Sequence, residues 1–172
     1  MDNAKYKILK EIPNSIPAGL PEIIEEWKTI MLPIPGRVGV HDVNIDYALK
    51  PDVRDSSVRF IREKHQTEAH NIMNKWIADQ GFPELKAQVL QISEYKVGQY
   101  YHWHTDSYGE RKLSLTALLN DDFEGGQFEV EGIGEVFLKR GDMVLFSSGM
   151  KHRVRRVTKG VRESLVVWFV EK

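Results

Sequence analysis

Residues 58–80 carry the strongest helical pattern in the chain. Ala69, Ile72, Met73, Trp76 and Ile77 recur at the i, i+3, i+4, i+7, i+8 spacing of a single apolar stripe, and Gly81 stands where a helix would stop. The spacing predicts a helix over 58–80 packed on a sheet, with His65 and His70 in its polar first half and at the surface. A shorter amphipathic helix is predicted over 21–31: Ile23, Ile24 and Trp27 share a face, and Pro21 is acceptable in a first turn. Residues 1–12 read as an extended or strand segment, and Pro33, Pro35, Gly36 and Gly39 mark a loop. The segment 40–57 is polar, rich in turn formers and without a clear period. It is expected to cover or flank a site and to order over a substrate.

From Leu85 onward the pattern changes to short strands rich in Val, Leu, Phe and Tyr. They fall at 86–95, 99–105, 112–120, 127–130, 135–138, 143–146, 152–157 and 164–170, between turns of Gly, Asp or Ser. Eight such strands after a helical N-terminal part predict a mainly β fold. The expected architecture is a double-stranded β-helix, or jelly roll, with the helices packed on one sheet. Residues 1–84 would be helical support and 85–172 the jelly-roll core of one domain.

A chain of 172 residues suits one domain with a full-sized core. The formal net charge of -1 gives no bulk attraction to nucleic acid or to an anionic membrane. The chain has no cysteine, which excludes disulfides, thiolate zinc sites and iron–sulfur clusters. Its N-terminus is too polar for a signal peptide, and no apolar run approaches the roughly 18 residues of a membrane span. A cytoplasmic location and no membrane partner are the expectation.

The chemistry is concentrated in Tyr95-Lys-Val-Gly-Gln-Tyr-Tyr-His-Trp-His-Thr-Asp106. His102, His104 and Asp106 alternate there, and alternate side chains of a strand point to one face. His152 follows well downstream, after Gly141-Asp-Met-Val-Leu-Phe146. Two imidazoles and one carboxylate with the remaining positions open form the facial triad of non-haem Fe(II) oxygenases. A hydrogen-bonded His104–Asp106 surface pair is the plainer alternative. A jelly roll would bring His104, Asp106 and His152 together inside one end of the sandwich.

Four stretches in order resemble the 2-oxoglutarate and Fe(II)-dependent dioxygenases, in their prolyl 4-hydroxylase-like branch. They are Tyr95-x-x-Gly98-x-x-Tyr101-x-x-His104-x-Asp106, Leu118-Leu-Asn-Asp-Asp-Phe-Glu-Gly-Gly-Gln-Phe128, Lys139-Arg-Gly-Asp-Met-Val-Leu-Phe-Ser-Ser-Gly-Met-Lys-His152 and Arg162-x-Ser164-Leu-Val-Val-Trp-Phe169. The likeness is strong over 85–172 and weak through 58–80. It implies an enzyme that holds Fe(II) through His104, Asp106 and His152 and uses 2-oxoglutarate and O2 as cosubstrates, with ascorbate admitted as an accessory. It implies that Arg162 binds the distal carboxylate of 2-oxoglutarate, with Tyr95 and Ser164 beside it. The implied reaction is hydroxylation of an unactivated C–H bond. A peptidyl proline is the default substrate, and free amino acids or other small molecules remain open.

Three departures bound that reading. Some prolyl hydroxylases carry a tyrosine where this chain has Leu118. Trp168 stands where the related nucleic-acid demethylases carry a second arginine, which with the near-neutral charge argues against a nucleic-acid substrate. Asp106 stands where related halogenases carry a small residue. A non-enzymatic cupin-type metal or small-ligand binder shares the architecture and stays open, although Glu110 lies too far from His104 for the cupin glutamate. His102 is then expected behind the ligands or on the substrate side. The cluster Arg153, Arg155, Arg156 and Lys159 reads as a solvated face in preference to a docking site for an acidic substrate.

Overall fold

A computed structural model describes residues 3–40, 46–48 and 50–172, with side chains for 5–37 and 50–172. A 3-10 turn at Asn3–Tyr6 precedes β1 (Leu9–Ile12), α1 (Leu20–Ile30), β2 (Ile34–Pro35), β3 (Val38–Val40), β4 (Asp46–Ala48), β5 (Arg54–Asp55), β6 (Ser57–Ile61) and α2 (Thr67–Asp79). The strand-rich part follows as β7 (Leu85–Tyr95), β8 (Tyr100–His104), β9 (Leu113–Leu118), β10 (Glu124–Gly125), β11 (Phe128–Val130), β12 (Gly134–Val136), β13 (Met143–Ser147), β14 (His152–Val154), β15 (Val157–Lys159) and β16 (Arg162–Glu171).

Two antiparallel sheets form the jelly roll. The larger runs β1-β13-β9-β16-β7-β6-β2 and the smaller β12-β11-β14-β8-β5. Period-2 alternation gives the larger sheet two unlike faces. Leu90 and Ile92 of β7, Leu113, Leu115 and Ala117 of β9 and Leu165, Val167 and Phe169 of β16 are buried in one core with Trp27 of α1 and Met73, Trp76 and Ile77 of α2. Each buried Leu, Ile, Val, Phe or Met among them contributes roughly 1.5–3 kcal/mol. Trp76 stacks on Phe169 at 6.4 Å between ring centroids. The intervening positions are polar yet buried: Gln91 and Ser93, Ser114 and Thr116, Arg162 and Ser164. Of these, Gln91, Ser93, Thr116 and Ser164 line the cleft between the sheets. A second apolar cluster, including Phe128, Val130, Phe146 and Val154, packs beside that cleft.

Several expectations need correction. The helix predicted over 58–80 begins only at Thr67, because Ser57–Ile61 is a strand paired with β7 in the register Val58↔Ser93 and Ile61↔Leu90. Val58 and Ile61 are buried there, and the polar run 62–66 turns the chain. His70 is fully buried, not on the surface: it stands i−3 and i−7 from Met73 and Ile77, and its Nδ1–H donates to Gln66 O at 3.0 Å. His65 is exposed as expected. The strand predicted over 152–157 is two strands interrupted at 155–156. Residues 1–84 are more than helical support: β1, β2 and β6 join the larger sheet and β5 the smaller. The expectation that 40–57 forms a lid falls partly outside the described residues. Its described end is an edge strand, with Arg54 opposite Tyr101.

Candidate metal centre

β8 and β14 pair antiparallel with His104 directly opposite His152. Two residues on, Val154 faces Tyr101, so β8 holds one extra residue and bulges. The bulge breaks the alternation on which the sequence reading relied. Tyr101, not His102, shares the inner side with His104, and the two rings stack at 3.4 Å with planes 10° apart. The His102 side chain is exposed. Its carbonyl nevertheless accepts the His104 Nδ1–H at 2.8 Å. The Met150 carbonyl does the same for His152 Nδ1–H at 2.9 Å. With each Nδ1 committed as a donor, both Nε2 lone pairs are free for a metal.

Those nitrogens face Asp106. Its Oδ1 lies 3.7 Å from His104 Nε2 and its Oδ2 lies 3.5 Å from His152 Nε2. The three potential ligand atoms lie within 4.8 Å of one another. Asp106 sits just beyond β8, where its N–H donates to Ser148 O at 2.8 Å. Phe146 packs edge-on to the His152 ring at 4.8 Å, and Phe128 is tilted against it at 5.6 Å. Burial, reinforced by His152, lowers the His104 pKa to about 3 and keeps the imidazole neutral. Burial alone would raise the Asp106 pKa, but His152 and His104 outweigh it, with smaller help from Trp168 and Ser114. The carboxyl is held below its usual range, so the cluster presents a carboxylate beside the neutral His104 imidazole.

Arg162 opens β16 opposite Tyr95 of β7. It is 2% exposed, its Nη1 donates to Ser164 Oγ at 2.9 Å, and its guanidinium lies 5.7 Å from the Tyr95 ring centre. Its Nε is buried with no hydrogen-bond partner, and among the described residues no carboxylate pairs with it. Burial lowers its pKa, with only Tyr95 opposing. Gly126 makes room for it: a Cβ there would lie 2.8 Å from Arg162 Cδ. Tyr95 and Ser164 line the cleft together with His104, Asp106 and His152, and the cavity is about 920 Å³.

Residues 90–170 match the sequence model of the 2OG-Fe(II) oxygenase superfamily. Over that stretch, just under half of its length, the chain is similar to members of that superfamily. It is similar to a "PKHD-type hydroxylase" of Synechococcus sp. (strain CC9902), 37% identical over 88 residues that cover 46% of this chain and 40% of the relative. A second "PKHD-type hydroxylase", of Thermosynechococcus vestitus, is 39% identical over 92 residues, covering 46% and 41%. The chain thus spans about two fifths of the length of the relatives it matches. Its fold matches a Pseudomonas putida prolyl-4-hydroxylase with a TM-score of 0.71 at 19% identity, over 95% of this chain and 92% of that one. A Trichoplax adhaerens prolyl hydroxylase, solved with a hypoxia inducible factor peptide fragment, gives a TM-score of 0.71 at 14% identity, over 95% and 83%.

The cofactors of this oxygenase family are Fe(II), 2-oxoglutarate and O2. The donor set of His104, Asp106 and His152 suits iron, leaving three positions of an octahedron open. Arg162, a buried guanidinium with an idle Nε, suits a carboxylate. The His104–His152 pair and Arg162 come from opposite sheets. Two contributors were not singled out by the sequence reading. Tyr101 stood in the motif, but three residues from His104 it would face away without the bulge. Arg54 carried no signal within the aperiodic 40–57 segment, yet it is buried with its guanidinium 4.5 Å from the Tyr101 ring centre. The basic cluster around His152 is largely partnered. Arg153 and Arg155 both reach Glu129, at 2.5 and 3.5 Å, Arg156 lies over Tyr100, and Lys159 meets Glu124 at 2.8 Å. Among the described residues no helix is long and apolar enough to cross a membrane.

Proposed function

We propose that residues 1–172 act as one Fe(II)- and 2-oxoglutarate-dependent dioxygenase domain that hydroxylates an unactivated C–H bond of a prolyl-type residue in a peptide or protein. The observation that carries it is one cleft lined by the His104–Asp106–His152 cluster and by Tyr95 and Ser164, the two residues that the buried, carboxylate-free Arg162 touches. In this reading the three cluster residues hold the iron. Arg162 and Ser164 anchor the distal carboxylate of 2-oxoglutarate, and Tyr95 packs against that pair. When bound, iron and 2-oxoglutarate supply the oxidation, with one oxygen atom of O2 ending in succinate and the other in the hydroxylated substrate.

The chain supplies orientation. The carbonyls of His102 and Met150 aim the imidazoles, and the Ser148 carbonyl fixes the backbone of Asp106. Tyr101 and Phe146 cover the two histidine rings and keep water from their sides. Hydroxylation is supported by the names of the sequence relatives, and a prolyl-type substrate by the fold shared with solved prolyl hydroxylases. Succinate formation from 2-oxoglutarate, Fe(II) and O2 with proline-containing peptides tests the function. A protein that binds Fe(II) but makes no succinate with or without such peptides is a binder and not an oxygenase.

A further inference from the structure

The mouth of the cleft is basic. Arg37, Arg54, Arg62 and Lys64 line it, and among the described residues Glu63 is the one acidic side chain there apart from Asp106. Arg37, Arg62 and Lys64 are exposed, as solvated cations usually are. Arg54 is only 6% exposed. Its Nε donates to Ser56 Oγ at 2.8 Å and its Nη1 to Arg37 O at 3.3 Å, both neutral acceptors. Among the described residues no carboxylate lies within ion-pair distance of it. A guanidinium carries five N–H donors, and burying one without an anion is costly.

The placement is tight. Gly36 closes one side, where a Cβ would lie 2.6 Å from Arg54 Nε and 2.4 Å from Ser56 Oγ. On another side the guanidinium covers the Tyr101 ring, which itself stacks on His104. One tyrosine ring therefore separates this cation from the metal cluster. Arg54 belongs to the smaller sheet and Arg162 to the larger, so the two are distinct cationic positions.

We propose that Arg54 is an anion subsite of the cleft, and that the substrate presents a carboxylate to it close to the carbon that is hydroxylated. The proposal rests on the oxygenase reading above. The carboxylate belongs either to an acidic side chain of a peptide or to the free carboxyl group of a small molecule. Both offer the two oxygens that match a guanidinium fork.

The test is equilibrium binding to the full chain with Fe(II) and 2-oxoglutarate under anaerobic conditions, so that nothing turns over. Two matched probe pairs are compared. One is a set of end-capped peptides with a central proline and Glu or Gln at a flanking position. The other is N-acetylproline against N-acetylprolinamide. In at least one pair the acid binds about tenfold tighter than its amide, the equivalent of about 1.4 kcal/mol, and Arg54→Gln removes the difference while Arg54→Lys keeps part of it. The pair that responds identifies the source of the carboxylate. The wild-type comparison stands even if the variants fold poorly. Acids that bind no better than their amides in both pairs, including no binding by either, overturn the subsite and leave the oxygenase reading intact. So does Arg54→Gln that discriminates as wild type does, or that loses 2-oxoglutarate affinity alone, which would make Arg54 a cosubstrate residue. If wild type fails to bind 2-oxoglutarate, both readings fall.

Discussion

Tyr101 lies flat on His104, with ring centroids 3.4 Å apart, because a bulge in β8 turns both side chains inward. The tyrosine therefore serves as a wall for a candidate metal ligand. Tyr101→Ala is expected to free the imidazole and weaken Fe(II) binding by roughly tenfold to a hundredfold, the range for lost supporting contacts. Tyr101→Phe keeps the stack and is expected to bind Fe(II) like wild type. Anaerobic Fe(II) titration distinguishes the two.

Removing a ligand is expected to do more than removing its support. His104→Ala, Asp106→Ala and His152→Ala should each weaken Fe(II) binding by more than about a hundredfold. His102→Ala should retain the metal, because His102 contributes its carbonyl and that survives the substitution. Isothermal calorimetry under nitrogen reads all four. Iron lost by His102→Ala and kept by Asp106→Ala would mean a different ligand set.

Arg162→Ala removes a charge-assisted pair from a buried site. A loss of roughly 2–5 kcal/mol, or about thirtyfold to several-thousandfold in 2-oxoglutarate affinity, is expected. Arg162→Lys should recover part of it, since an ammonium lacks the planar fork. Fe(II) affinity without cosubstrate should stay unchanged. Arg155→Ala and Arg156→Ala, in the partnered cluster, serve as controls; if one of them loses 2-oxoglutarate while Arg162→Ala keeps it, the anchor lies elsewhere.

Gly126 has φ +62° and would place a Cβ 2.8 Å from Arg162 Cδ, whereas Gly132, at φ +80°, has nothing within 4 Å. Gly132→Ala is expected to cost only the left-handed strain of about 1–2 kcal/mol. Gly126→Ala should cost that and also weaken 2-oxoglutarate by displacing the arginine. Urea unfolding read beside 2-oxoglutarate titration separates strain from site damage; equal 2-oxoglutarate affinity in both variants would free Gly126 of that role.

The metal-free protein should lose stability on acidification. His104 falls from the ordinary 6.5 to about 3 on folding, so between those values the unfolded chain takes up the proton first. Asp106 is likewise lowered from 3.8, and its contribution fades at still lower pH. Stability is therefore greatest above about pH 6.5 and declines as pH falls, with a slope of up to about 1.4 kcal/mol per pH unit from His104. Urea midpoints at pH 7.5, 6 and 5 check it, and His104→Gln should flatten the dependence in this window.

Much of this was readable beforehand because the larger sheet alternates so regularly. Leu113-Ser-Leu-Thr-Ala117 shows both faces of β9 in five residues, and the order of motifs placed Asp106, His152 and Arg162 on recognisable strand ends. What escaped had a physical reason in each case. The β8 bulge changes which residues share a side without any glycine or proline to mark it. Strand β6 is five residues long and runs into the polar lead of α2, so a helical period appeared to reach back to residue 58. His70 occupies a core-facing position of α2 in spite of its polarity, since its Nδ1–H finds a carbonyl one turn back. Arg54 depends on a cross-strand partner, Tyr101, that no local pattern reveals.

The unlike faces of β16 tie two failures together. Leu165, Val167 and Phe169 point to the helices, while Arg162 and Ser164 alternate with them. Slipping this strand by one residue would swap the two sets, sending Leu165, Val167 and Phe169 to the cleft and Arg162 into the apolar core. Such a strand has no halfway version, so it tolerates substitution but not slippage. Among the described residues the rim strand carrying Arg54 pairs with one neighbour, β8. An insertion or exchange there would disturb Arg54 and leave the paired strands that carry His104, His152 and Arg162 in register.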